Sequence, residues 1–144
     1  MKQTAWIIAS VKSRWVANAA LPSLVPGGLL AGFMPSPAAR PFAMIVCNPE
    51  GAPEYTTGRL YVQAYSVSIG VWAGEKVGDA GQIQSALETL MSADTKLMLL
   101  TGNAWTLHIS LQPGSIDPLI ERMYGKFTFT ASARWLVQLQ EMRF

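Results

Sequence analysis

The chain has 144 residues, half of them hydrophobic and only 14% charged, with a formal net charge of +2. One domain spanning 1–144 is the expectation at this length, and so slight a charge argues against nucleic-acid or acidic-membrane binding through a basic surface. Soluble proteins carry about 25% charged residues, so this exterior must be finished with neutral polar and apolar groups, and large exposed apolar patches usually become interfaces.

Obligate self-association is the first reading of that deficit, and a compact, sparingly charged monomer is the second. A single cysteine, Cys47, excludes an internal disulfide and fits folding in a reducing compartment. It lies in the apolar run Phe42–Cys47 and reads as a buried, inert thiol. Two long uncharged stretches are not membrane spans. Trp15–Ala39 is broken by Pro22, Pro26, Gly27, Gly28, Pro35 and Pro37, and Leu97–Ile116 by Gly102-Asn103 and His108, whereas a spanning helix needs roughly 20 mostly apolar residues. Ala5–Val11 stops at Lys12 without a secretory cleavage pattern, so synthesis in the cytoplasm is expected.

In chain order, Thr4 is placed to cap a first helix reaching about Ala19, with Ile7, Ile8, Val11 and Trp15 on one stripe. Leu21-Pro22 ends it. A strand is expected at Leu29–Met34, then a proline-rich link at Pro35–Pro41 and a buried strand at Phe42–Cys47. Asn48–Gly58, with Pro49, Glu50, Gly51, Pro53 and Glu54, reads as an exposed loop. Arg59–Ala73 alternates: Tyr61, Tyr65, Val67, Ile69 and Val71 share one parity, and the small residues Ala64, Ser66, Ser68 and Gly70, with Val62, share the other. A helix is expected to lie across the small-residue face.

Gly74–Gly81 is read as a turn, with Asp79 and Gln82 forming a capping box for a helix striped by Ile83, Ala86, Leu87, Leu90 and Met91. After Leu97–Leu100 and the Gly102-Asn103 turn, Trp105, Leu107, Ile109 and Leu111 oppose Thr106, His108, Ser110 and Gln112. Pro113–Pro118 reads as a loop and Leu119–Met123 as a helical turn. The last run, Tyr124–Gln138, alternates almost without error and only Leu136 breaks the pattern. The order predicts an α+β fold: a mainly antiparallel, twisted sheet of four to five strands, an N-terminal helix, and one helix packed on the sheet.

The chemistry-bearing residues are sparse. His108, the only histidine, lacks a nucleophile elbow or an orienting carboxylate, and a surface or interface histidine is the better account. One His and one Cys cannot build a zinc site. Carboxylates recur four apart at Glu50/Glu54, Glu75/Asp79 and Asp117/Glu121, a spacing that can serve acid–base work, but in turn-rich segments solvated carboxylates are ordinary. Gly74, Gly78 and Gly81 match neither the dinucleotide fingerprint nor the phosphate loop. Trp6, Trp15, Trp72, Trp105 and Trp135 are many for one domain, and aromatics are enriched in interface cores, though Trp105 and Trp135 share parity with core residues. No catalytic residue, metal or cofactor is expected.

The segments Arg40-Pro41-Phe42-Ala43-Met44-Ile45-Val46 and Ser66-Val67-Ser68-Ile69-Gly70-Val71-Trp72-Ala73, followed by a glycine turn, an amphipathic helix and a Phe127–Leu139 strand, carry a family resemblance. The chain resembles the tail-terminator and tail-completion (neck) proteins of tailed bacteriophages over most of its length. The proline-rich link and the Glu50–Gly58 segment have no counterpart in the resemblance. It implies a non-catalytic homohexameric ring in the virion, assembled in the host cytoplasm, that ends the tail tube, receives a head-completion protein, and lets DNA through a central channel without sequence-specific binding. Thr128, Thr130, Ser132, Arg134 and Gln138 would then meet a neighbouring subunit or line the channel. Glu50, Glu54, Arg59, Asp117 and Glu121 would dock the tube or head partner. The alternatives are a head–tail joining protein on the portal side and a small ligand-binding α+β domain.

Overall fold

The computed structural model describes residues 2–31, 42–55, 60–72, 77–90, 104–112, 116–121 and 126–142. In chain order these form α1 (Lys2–Ala17), α2 (Leu21–Leu24), β1 (Leu29–Ala31), β2 (Phe42–Tyr55), β3 (Leu60–Trp72), α3 (Val77–Glu88), β4 (Ala104–Gln112), β5 (Ile116–Glu121) and β6 (Lys126–Met142). The strands make one six-stranded sheet of order β1-β2-β3-β6-β4, with β5 also paired to β6. Only β1–β2 is parallel; every other pairing is antiparallel. This is the expected α+β class, with a strand more than the sequence suggested.

Hydrophobic periodicity decides what covers the sheet. In β3, Tyr61, Tyr65, Val67, Ile69 and Val71 are buried, and in β6 Ala131, Ala133, Trp135, Val137 and Leu139 are buried. The register sets Val67 opposite Trp135 and Tyr65 opposite Val137, so the two alternations merge into one apolar face. Onto it pack Ile7, Val11 and Trp15 of α1, Leu21 of α2, and Ile83 and Leu87 of α3. The helices therefore lie on the large-residue face of β3, not on the small one. Burying whole side chains of this size stabilises by about 1.5–3 kcal/mol each, more than a flat row of Ala, Ser and Gly could supply.

Several local expectations are corrected. α1 already includes Lys2, so Thr4 lies inside its first turn and does not cap it. After Ala17 the side-chain Oδ1 of Asn18 accepts hydrogen bonds from the N–H groups of Ala20 (2.9 Å) and Leu21 (3.0 Å). That satisfies donors left over at the break, and α2 starts with Pro22 in its first turn, where a missing N–H costs nothing. Pro22 thus opens a helix as well as following one. Gly28, at φ +80°, turns the chain into β1. α3 starts at Val77, which puts Gly78, Asp79 and Gly81 within the helix and not in a turn before it.

The expected loop over Asn48–Gly58 is mostly strand, because β2 continues to Tyr55 against β3. A register shift between Glu50 and Glu54 absorbs the irregular residues, with Gly51 at φ +73°. Buried Gln63 staples the bulge: its Nε2 donates to the carbonyls of Glu50 (3.0 Å), Gly51 (3.0 Å) and Ala64 (3.1 Å). Of the loop expected at Pro113–Pro118 and the helical turn expected at Leu119–Met123, residues 116–121 instead form β5, which pairs Ile116–Glu121 with Ala131–Lys126, while 113–115 and 122–123 lie outside the described residues. The proline-rich link, Leu97–Leu100, the Gly102-Asn103 turn and Met91 lie outside the described residues.

Candidate assembly interface

The opposite face of the sheet has no described element on it. Residues directly across a ladder share a face, so Val46, Ser68, Arg134 and Gln112 form one row. The next row is Asn48, Ser66, Leu136 and Ser110. Val46 is 50% exposed and Leu136 38%. Between them runs the small-residue line of β3, so the two aliphatic side chains, about 12 Å apart along a diagonal of two strand spacings and two residues, border a shallow trough. At one end Phe42 and Trp72 stack with ring centroids 5.1 Å apart.

Arg134 bridges this trough. Its Nε donates to Ser66 Oγ at 3.1 Å, and its terminal amino group meets Glu50 Oε1 at 2.8 Å. The guanidinium thus reaches from β6 across β3 to β2, which a larger residue at Ser66 would block. The pair is half-exposed on both sides, so it sets geometry more than stability.

Of the residues expected to meet a neighbour, Thr130, Ser132, Arg134 and Gln138 occupy alternate positions of β6, with Arg134 and Gln138 exposed. Thr128 continues the same backbone alternation opposite Leu119. Among the expected docking residues, Glu50 joins Arg134, so the two groups are not separate. Glu50 and Glu54 belong to β2, and Asp117 and Glu121 to β5; they are strand residues and not loop residues. Arg59 and Glu75 lie outside the described residues. The features sequence reasoning missed are Leu136 and Val46, and the break in the Tyr124–Gln138 alternation was the signal for the first.

Nothing described assembles a reactive centre. His108 sits opposite Gln138, just past a bulge in β4. Among the described residues no three of His, Cys, Asp and Glu come close enough to hold a metal ion. No described helix is long and apolar enough to cross a membrane. Cys47 is buried, and burial pushes its thiol up to about 12, far from a reactive thiolate. Burial, and then the neighbouring Tyr61, likewise push the Tyr65 phenol up. Ser10 Oγ and Trp135 Nε1 are buried without a hydrogen-bond partner among the described residues. A cleft of about 280 Å³ lies between α1, α2 and β1, lined by Trp15, Pro22, Val25 and Leu29 with Lys12 and the exposed Val16 at its rim.

No protein-family profile and no curated protein sequence matches the chain. Solved structures do. A chain in the virion of the native gene transfer agent particle superposes with a TM-score of 0.66 at 14% identity, covering 90% of this chain and 92% of that one. The structure of bacteriophage SPP1 gp17 protein superposes with a TM-score of 0.54 at 12% identity, covering 94% and 91%. Both share this fold. At such identities the likeness is one of architecture, spanning nearly the whole chain in each case.

Proposed function

We propose that this chain is a structural virion protein at the head-proximal end of a phage tail. It forms a ring that terminates the tail tube and joins it to the neck, with no catalytic step. The observation that carries the reading is the sheet face opposite the helices: a broad, neutral, small-residue surface bearing exposed Val46 and Leu136. The likeness in fold to a gene-transfer-agent virion chain and to a phage protein supports it.

In this reading Thr128, Thr130, Ser132, Arg134 and Gln138 meet the adjacent subunit or line the channel. The neutral members, Thr128, Thr130, Ser132 and Gln138, let DNA pass without holding it, since phosphate affinity comes mainly from Lys and Arg, and the charge of Arg134 is offset by its pair with Glu50. Glu50, Glu54, Arg59, Asp117 and Glu121 serve the contacts to tube and head partners. A ring uses heterologous contacts, so the Arg134–Glu50 pair stands at the edge between the self-contact and the partner contact.

The test is to mix the purified chain with polymerising tail-tube subunits and, separately, with DNA-filled heads. Capping of tubes at a defined length, together with a ring by light scattering that Arg134→Glu weakens, is the expected result. Binding to heads without any effect on tubes would assign the chain to the portal side of the neck. A monomer indifferent to both would remove the structural reading.

A further inference from the structure

The cleft between α1, α2 and β1 lies on the helical side of the subunit, and two helical spacings build it. Lys12, Trp15 and Val16 of α1 sit at i, i+3 and i+4; Pro22, Val25 and Pro26 repeat that spacing through α2 and its C-cap. Each set gives one wall. Trp15 and Val25 are buried and make the floor, whereas Lys12, Val16, Pro22 and Pro26 are exposed and make the rim. Val16, at 76%, is the most exposed large apolar side chain among the described residues. A Cβ built on Gly28 would meet nothing within 4 Å, so the hollow is open down to the backbone there.

The walls are fixed in advance. Asn18 Oδ1 holds the N–H groups of Ala20 and Leu21. The Val25 N–H donates to the Leu21 carbonyl at 2.9 Å, the Gly28 N–H to the Val25 carbonyl at 3.0 Å, and the Ala43 N–H of β2 to the Gly28 carbonyl at 2.9 Å. Pro22 and Pro26 add locked φ angles. A preformed hollow loses little ordering entropy on binding. Small-molecule pockets span about 300–1,000 Å³, so this one, at about 280 Å³, suits one large side chain better than a cofactor.

Charge decides what should flank that side chain. Residues 1–49 hold Lys2, Lys12, Arg14 and Arg40 and no Asp or Glu; all nine carboxylates come later. Glu50, Glu88 and Glu141 bind Arg134, Gln84 and Gln3, and Lys12 has no ion pair or hydrogen bond among the described residues. Arg14, in the last turn, offsets the negative end of α1, which leaves the Lys12 ammonium to set the sign of the rim. We propose that this cleft docks an acidic peptide segment of another protein. One large apolar side chain seats between Val16 and Pro22, and a flanking Asp or Glu carboxylate meets Lys12. The anchor supplies most of the affinity, and the rim charge steers acidic segments in and turns basic ones away. The contact is separate from the open sheet face and does not depend on the ring reading.

The probe is a fluorescently labelled synthetic peptide of Glu and Ser around one central Phe, titrated with the full chain and followed by anisotropy. Anisotropy should rise, and added salt should weaken the binding. Lys12→Glu should weaken it about fivefold, and Lys12→Arg should preserve it. Val16→Glu, at an exposed helical position, should abolish it while circular dichroism stays native. Peptides with Lys in place of Glu, or Ser in place of Phe, should not bind. Arg134→Glu, which acts on the open sheet face, should leave peptide binding unchanged, so the cleft and the ring can fail separately. No rise in anisotropy, equal binding of the acidic and basic peptides, or binding indifferent to both Lys12→Glu and Val16→Glu overturns the proposal. So does a change in the association state of the peptide-free chain on Val16→Glu, which would make a second copy the occupant.

Discussion

The two faces of β6 differ more than any two elements of the molecule. Ala131, Ala133, Trp135, Val137 and Leu139 are sealed under helices, while Arg134, Leu136 and Gln138, their immediate neighbours in sequence, are exposed. One strand therefore serves two surfaces, one closed by its own chain and one left for something else. In a lone subunit the second face gains little by being apolar, and its neutral, small composition is the same shortage of charge that marks the whole sequence.

The sharpest way to break this comparison is substitution of adjacent residues. Trp135→Ala should cost about 3–5 kcal/mol of stability, read by urea denaturation. Leu136→Ala should move stability by no more than about 0.5 kcal/mol while weakening association. Comparable losses from both would mean that the open face is covered within the monomer.

The next effect in size belongs to the staple in the β2–β3 arm. Gln63→Ala leaves the carbonyls of Glu50, Gly51 and Ala64 without their amide donor. A loss of about 1–3 kcal/mol is expected, and amide exchange should rise first around the bulge. Exchange that stays uniform would show that the arm holds without it.

Alkaline titration sharpens the buried side. The Cys47 thiol ionises at 9.0 when unperturbed and at about 12 in the fold, so its contribution is intact below about pH 9 and is lost as pH rises toward 12. Tyr65, shifted in the same direction, adds to that loss. Denaturation midpoints should be flat up to about pH 9 and fall above it, and native Cys47 should resist alkylation at neutral pH. A thiol that alkylates as fast as a free one would contradict its burial.

The ion pair on the open face is also expected to matter little to the monomer. Arg134→Ala should change monomer stability by less than about 1 kcal/mol, because both members of its pair with Glu50 are half-exposed. A larger loss, persisting in high salt, would show that the bridge over Ser66 is structural in the monomer.

Period-two patterning determined, without any structure, that β3, β4 and β6 are strands, and the 3.6-residue stripe determined α1 and α3, because burial of one face imposes its period on the residues. The same logic could not say which face of β3 the helices cover, since both parities of Arg59–Ala73 are free of interior charge. That was decided by the areas α1 and α3 bury against Tyr65, Val67 and Trp135. Nor could it recognise β5 or the far half of β2, where proline, glycine and carboxylates imitate a loop. Those segments are strands because β6 and β3 offer long ladders to pair with, and a backbone hydrogen-bond partner is a property of the neighbouring strand, not of the residue itself. The meeting of Arg134 with Glu50 belongs to the same class: two charges far apart in sequence, brought together only when β2, β3 and β6 take their register.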